Sequence, residues 1–220
     1  MRRVFAQGAR PSCFCRAVKN RRNNPYAKPD AFTQKAKQQG YPARSVFKLE
    51  EIDRRVHLLK GGLHVLDLGA SPGSWAKYIS QKIGPSGRLL AVDLKPMTTS
   101  LPPGCVFILG DALSLENESL RTFAPYDVVV SDMAPSTSGT RMQDQARSYE
   151  LFMRAVEVAT SVTKSGGHFV GKIFMGEDFP YARKKIKDCY EEEKIIRPEG
   201  TRTNSYEVFL IGLRLKTPAA

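Results

Sequence analysis

From Tyr41 onward, short apolar runs alternate with longer stretches in which apolar residues recur every three or four positions. The first such stretch predicts a helix from Ser45 to Leu59, with Val46, Leu49, Ile52 and Val56 on one face. Ser45 is its expected cap and Gly61-Gly62 its stop. Further helices are predicted over Ser74–Ile83, ending at Gly84, over Gln145–Thr163, and over the basic segment Pro180–Tyr190. Strands are predicted at Leu63–Leu68, Arg88–Val92, Val106–Leu109, Tyr126–Val130, Gly167–Phe174, Lys194–Arg197 and Tyr206–Leu215. Strands alternating with helices imply an α/β fold, a mostly parallel seven-stranded sheet with helices on both faces. The last two predicted strands have no helix between them. Residues 198–206 suffice for a hairpin, so the last strand is expected to run antiparallel.

Charge divides this chain of 220 residues in two. Residues 1–48 carry twelve Lys or Arg against the single acid Asp30, whereas residues 49–220 are nearly neutral. Such an arm suits a polyanionic partner, because each phosphate contact releases counterions. Residues 1–25 read as a basic leader and residues 26–220 as one domain. The leader's composition fits an organelle presequence as well as a plain basic tail, but it lacks the apolar stretch of a secretory signal. No apolar run approaches the roughly 20 residues that span a bilayer, so no membrane association is expected. Cys13 and Cys15 are too close for the usual zinc pair, and no metal site is expected from the four cysteines. No disulfide framework is expected either, and a reducing compartment follows.

The candidate chemistry lies at strand ends. In open α/β sheets, ligands bind beyond the carboxyl ends of the strands. The turn Gly69-Ala70-Ser71-Pro72-Gly73-Ser74 follows the first strand. It lacks the second and third glycines of G-x-G-x-x-G, which counts against a dinucleotide, and no P-loop motif occurs. Asp93, Asp111 and Asp132 close the next three strands. Any one of them alone fits a helix cap or a turn equally well. Three in succession beside a glycine turn point to a nucleoside-bearing ligand, with Asp93 at the spacing of a ribose acceptor and Asp111 placed to accept from an exocyclic adenine amine. Trp75 reads as packing between helix and sheet. Lys172 is unexpected within the apolar run Phe169–Phe174, and a shared site with Asp132 would account for both.

Taken together, Leu68–Trp75, Asp93-Leu94, Gly110-Asp111, Ser131–Pro135, Gly171–Phe174 and Ser205–Val208 resemble, in order and spacing, the FtsJ/RrmJ-like ribose 2′-O-methyltransferases. Ala43–Leu49 resembles that family's N-terminal helix. The resemblance covers about Pro29 to Leu215 and is strongest to the branch that methylates a uridine ribose in large-subunit ribosomal RNA. It implies a Rossmann-like methyltransferase sheet and S-adenosylmethionine as cofactor. It places Gly69, Gly73 and Trp75 beside the methionine portion, Asp93 on the ribose, Asp111 on the adenine and Asp132 near the sulfonium. The family's Lys-Asp-Lys-Glu tetrad falls on Lys48, Asp132, Lys172 and Glu207, with Lys172 as proton acceptor. Ser74 stands where the family often has a glycine.

The resemblance also implies ribosomal RNA or the large subunit as partner. The basic N-terminal segment and the Arg183–Lys187 helix are the expected contacts. A monomer in the cytoplasm is expected, or in an organelle matrix if residues 1–25 are a presequence. The alternatives are methylation of transfer RNA, or a nonenzymatic assembly factor on the same fold.

Overall fold

The computed structural model describes residues 30–113, 117–202 and 205–217. The leader expected over residues 1–25 lies outside them. The chain enters on α1 (Ala31–Gln38) and α2 (Val46–Val56). Then follow β1 (His64–Leu68), α3 (Ser74–Ile83), β2 (Arg88–Asp93), β3 (Cys105–Leu109), α4 (Asn117–Leu120) and β4 (Tyr126–Ser131). The second half holds α5 (Arg141–Val162), β5 (Thr163–Phe174), α6 (Phe179–Cys189), β6 (Tyr190–Ile196) and β7 (Glu207–Leu215). The strands form one sheet in the order β3-β2-β1-β4-β5-β7-β6. β7 runs antiparallel to both of its neighbours, as the hairpin argument required.

Strand alternation sends residues to two cores. Val65, Leu89 and Val128 join α2 and α3 on one face, and Leu66, Leu90 and Val129 join α5 and α6 on the other. Four of the five β1 residues are fully buried, including an acidic one, Asp67.

Several boundaries differ from the sequence expectation, each for a local reason. Ser45 does not cap α2: its own backbone is already helical (φ −58°, ψ −21°) and its side chain makes no capping bond. α2 stops at Val56, ahead of Gly61-Gly62, because His57 takes a left-handed conformation (φ 53°) and donates its N–H to the Asp53 carbonyl. α1 was not anticipated. Asp30 caps it by accepting from the Thr33 backbone amide at 2.8 Å and from its hydroxyl at 2.9 Å. β6 begins at Tyr190, and the three acids that follow hid it from the apolar pattern. It is an edge strand, so Glu191 stays exposed and Glu193 is covered by the cations of α6, while Tyr190 is buried against Phe169.

Gly212 shows how tightly this end of the sheet is packed. A Cβ there would lie 2.4 Å from the Tyr190 ring. Gly212→Ala is expected to destabilise the fold by about 1–3 kcal/mol through overpacking. Gly200→Ala, where a Cβ meets open space, should be nearly neutral. Denaturant midpoints of the two variants check this.

Candidate active site

The carboxyl edge of β1, β2 and β4 surrounds a cavity of about 360 Å³. Gly69, Asp93, Asp111 and Asp132 all line it. Gly69 has φ +82°, and a Cβ there would stand 2.8–3.0 Å from Met133, so the turn closes onto the loop after β4 only because the side chain is absent. Asp93 is held from both sides: Oδ2 accepts from the Ser71 amide at 2.9 Å and Oδ1 from the Lys95 amide at 2.8 Å. Asp111 Oδ1 accepts from the Leu113 amide at 2.9 Å. The volume is that of a small-molecule site.

Gly73 and Trp75 are not among the residues that line this cavity. Gly73, at φ +110°, meets Met97 and Thr99 instead, where a Cβ would lie 2.8–2.9 Å from their side chains. Trp75 is 2% exposed; its indole N–H donates to the Ser45 carbonyl at 2.9 Å and its ring lies 5.7 Å from Phe209. The packing reading of Trp75 therefore describes its side chain. That same contact fixes α2, the helix carrying Lys48, against β7.

The four tetrad positions converge as two ion pairs. Ser131 lies opposite Gly171 in the parallel register of β4 and β5, so Asp132 and Lys172 emerge side by side. Lys172 Nζ donates to the Asp132 carbonyl at 2.6 Å and to Oδ1 at 2.9 Å. Lys48 pairs with Glu207, and both side chains are nearly buried. Phe209 lies between the pairs: it stands opposite Lys172 across β5 and β7, and Lys48 Nζ is 6.0 Å from its ring centroid. Its only sequence signal is its spacing from Glu207 in an apolar strand, which reads as ordinary core.

Asp67 was also missed, because it sits inside an apolar strand and not at its end. It is fully buried, and among the described residues neither carboxyl oxygen has a hydrogen-bond partner. Burial pushes its pKa well above the usual carboxylate range, and the Asp132 and Asp93 carboxylates push it the same way. Acids thus dominate the cavity and the ground beneath it, an environment suited to a cationic ligand.

The predicted basic helix is observed as α6, but three of its four cations are engaged. Arg183 donates to both oxygens of Glu193 at 2.6 and 3.1 Å, Lys184 pairs with Asp188 at 2.6 Å, and Lys187 lies 3.5 Å from Glu193. α6 also runs away from the carboxyl edge, since it leads into β6, which is parallel to β5 through their shared antiparallel neighbour. On α1 and α2, Lys35 and Lys37 remain exposed, while Arg44 pairs with Asp30. No helix among the described residues is long and apolar enough to cross a membrane.

A family model for FtsJ-like methyltransferases matches residues 41–215. A Sorangium cellulosum protein named ribosomal RNA large subunit methyltransferase E is 62% identical over 200 residues, covering 91% of this chain and 94% of its own. A Bdellovibrio bacteriovorus protein of the same name is 47% identical, covering 87% and 99%. Among solved structures, a SAM-dependent O-methyltransferase from Thermotoga maritima superposes with a TM-score of 0.60 at 11% identity, covering 87% of this chain and 74% of that one. Aeropyrum pernix fibrillarin, in complex with S-adenosyl-L-methionine, superposes with a TM-score of 0.55 at 20% identity, covering 71% and 68%. Both likenesses establish the Rossmann-like methyltransferase fold.

The buried acid makes stability depend on pH. The folded chain keeps a proton on Asp67 that the unfolded chain releases near pH 4. Between that pH and the raised folded value, folding retains the extra proton, so stability falls as pH rises. Asp67→Asn is neutral at every pH and should remove this slope, leaving the variant more stable than the native chain at pH 8 but not at pH 4. Thermal unfolding across that range is the measurement; a parallel pH slope in both proteins overturns the assignment.

Proposed function

Because this chain belongs to the FtsJ-like methyltransferase family, we propose that it methylates a ribose 2′-hydroxyl of large-subunit ribosomal RNA with S-adenosylmethionine as methyl donor. The observation that carries the reading is the Lys172–Asp132 pair standing at the rim of an acid-lined cavity. The cavity's donor set fits the cofactor. Asp93 is placed for ribose hydroxyls, Asp111 for the adenine amine, and the acids for a molecule that carries a sulfonium and an ammonium. When bound, the cofactor supplies an electrophilic methyl group on sulfur. Gly69 lines the same cavity, and its missing side chain lets Met133 close against the turn.

The remaining chemistry belongs to the chain. A 2′-hydroxyl must lose its proton as its oxygen forms the new bond, and Lys172 in its amine form is the acceptor, its nitrogen lone pair taking the proton. Two of its three Nζ positions point at Asp132, which fixes the direction of the third. Asp132 orients Lys172, while Lys48 and Glu207 hold the ribose from the α2 side. These groups sit on β5, β7 and α2 rather than on long loops, so the hydroxyl is positioned by rigid elements.

The substrate docks across the N-terminal segment, where Lys35 and Lys37 are exposed on α1 and Lys35 Nζ lies 4.7 Å from the ring centroid of Phe47, the residue before Lys48. α6 contributes less, because most of its cations are already paired with Glu193 and Asp188. Such a substrate places the protein where large subunits are assembled, the cytoplasm or an organelle matrix.

Transfer of labelled methyl from S-adenosylmethionine to large subunits lacking the modification tests this reading. Lys172→Ala should lower kcat by about 10²–10⁴-fold while cofactor affinity, read by calorimetry, stays near native. A folded Lys172→Ala protein with native kcat defeats the proton-acceptor role. Native protein that leaves RNA unmethylated defeats the function.

A further inference from the structure

Tyr206 and Arg141 form an exposed stack at the rim of the catalytic pairs that the reaction as described does not use. The Arg141 guanidinium carbon lies 3.6 Å from the Tyr206 ring centroid. Tyr206 is 43% exposed and immediately precedes Glu207. The stack is tied to the frame that carries Lys172. The Met175 amide donates to the Tyr206 carbonyl at 2.9 Å, and the Gln145 side-chain amide donates to the Met175 carbonyl. Met175 directly follows β5, three residues after Lys172.

Structural roles account poorly for this pair. Arg44, Arg55, Arg154, Arg183 and Arg214 each pair with a carboxylate, but among the described residues no carboxylate lies within ion-pair distance of Arg141. Arg141 is also the first residue of α5, where the helix dipole disfavours a cation. An aromatic ring left in water loses the benefit of its burial.

Ligand chemistry accounts for both. A strand presented for 2′-O-methylation must be unpaired at the reacting nucleotide, and unpaired bases bind by stacking on aromatic and guanidinium planes. The ribose has to lie against the Lys172–Asp132 and Lys48–Glu207 pairs. Its phosphates are repelled by the acids lining the cavity and drawn toward an unpaired cation outside it. The exposed plane adjoining Glu207 is the Arg141–Tyr206 stack. Resting on the RNA reading above, we propose that this stack is the base subsite. Tyr206 and the guanidinium plane carry the base of the nucleotide being methylated, and Arg141 N–H groups contact its phosphate.

The test combines steady-state kinetics on large subunits lacking the modification with fluorescence of a short single-stranded RNA carrying 2-aminopurine. Tyr206→Ala should raise the KM for RNA by about tenfold or more, the loss expected for one base stack. Its kcat should fall much less, and its cofactor affinity, which also reports folding, should stay near native. Tyr206→Phe keeps the ring and should restore most of the RNA affinity. Arg141→Ala should weaken RNA binding and reduce the salt dependence by about one ion contact. Quenching of 2-aminopurine on binding should be strong with the native chain and lost with Tyr206→Ala. An unchanged KM and undiminished quenching in Tyr206→Ala overturn the subsite, as does a loss that Tyr206→Phe fails to restore. If the native chain transfers no methyl to RNA, the reading of the function falls, and the fluorescence arm still decides whether the stack binds a base.

Discussion

The site depends on the register of β5 against two neighbours that run in opposite directions. Against β4 the pairing is parallel, so both strands end at the same edge and deliver Asp132 and Lys172 together. Against β7 the pairing is antiparallel, so the strand that begins at this edge brings its first residue, Glu207, opposite Phe174. A parallel β7 would place Glu207 at the far edge of the sheet. Shifting β5 by one residue would turn Lys172 to the other face, among the side chains packed on α5. Phe169 and Ile173 on one face, with Val170 on the other, oppose such a slip, because each is fully buried where it is.

Electrostatics divides this edge into two territories. Burial, reinforced by the Asp132 and Asp93 carboxylates, holds the Asp67 carboxyl well above its usual range. On the α2 side, Lys48 is neutralised by Glu207. A lysine already paired with a carboxylate presents little net charge to a third group such as Lys172. Its structural consequence is clearer. Buried ion pairs gain little net stability after desolvation, so two of them at one edge are better understood as a cost carried for the site than as a source of fold stability. The rigid sheet and the Trp75 anchor keep their partners aligned.

How much of this was legible depends on whether a residue's environment is local or distant in sequence. The helix Ser74–Ile83 was read with its exact bounds because its periodicity and both terminal glycines are local. The antiparallel last strand followed from the short connection before it. The acids at strand ends were found because an acid that closes an apolar run is visible in the run itself. Asp67 has the same chemistry, but lies one position inside the run, and its isolation depends on Ala91 and Val130 across two strands. Tyr206 and Arg141 are 65 positions apart and meet only through the packing of α5 beside β5 and β7. Their contact has no signature in either segment. α6 shows the converse: its basic run was plain in the sequence, whereas the Glu193 that neutralises it belongs to a strand hidden by its own acids.

These contacts also bear on how the reaction is divided among residues. Lys172 is held through two acceptors on one residue, a backbone carbonyl and a side-chain oxygen of Asp132. Removing the Asp132 side chain would therefore loosen Lys172 without freeing it, since the carbonyl remains. Lys48 and Glu207 have no such backup from each other's backbone, so loss of either leaves a nearly buried charge alone. The two halves of the tetrad thus differ in kind. One is a backbone-anchored lysine, proposed above as the proton acceptor, and the other is a mutually dependent ion pair whose alignment rests on α2. Because the indole of Trp75 ties α2 to α3 at Ser45, that pair is set by the same helix that opens from the glycine turn. The glycine turn and the Lys48–Glu207 pair are thereby parts of one rigid unit, which is what the proposed in-line transfer between two bound molecules requires.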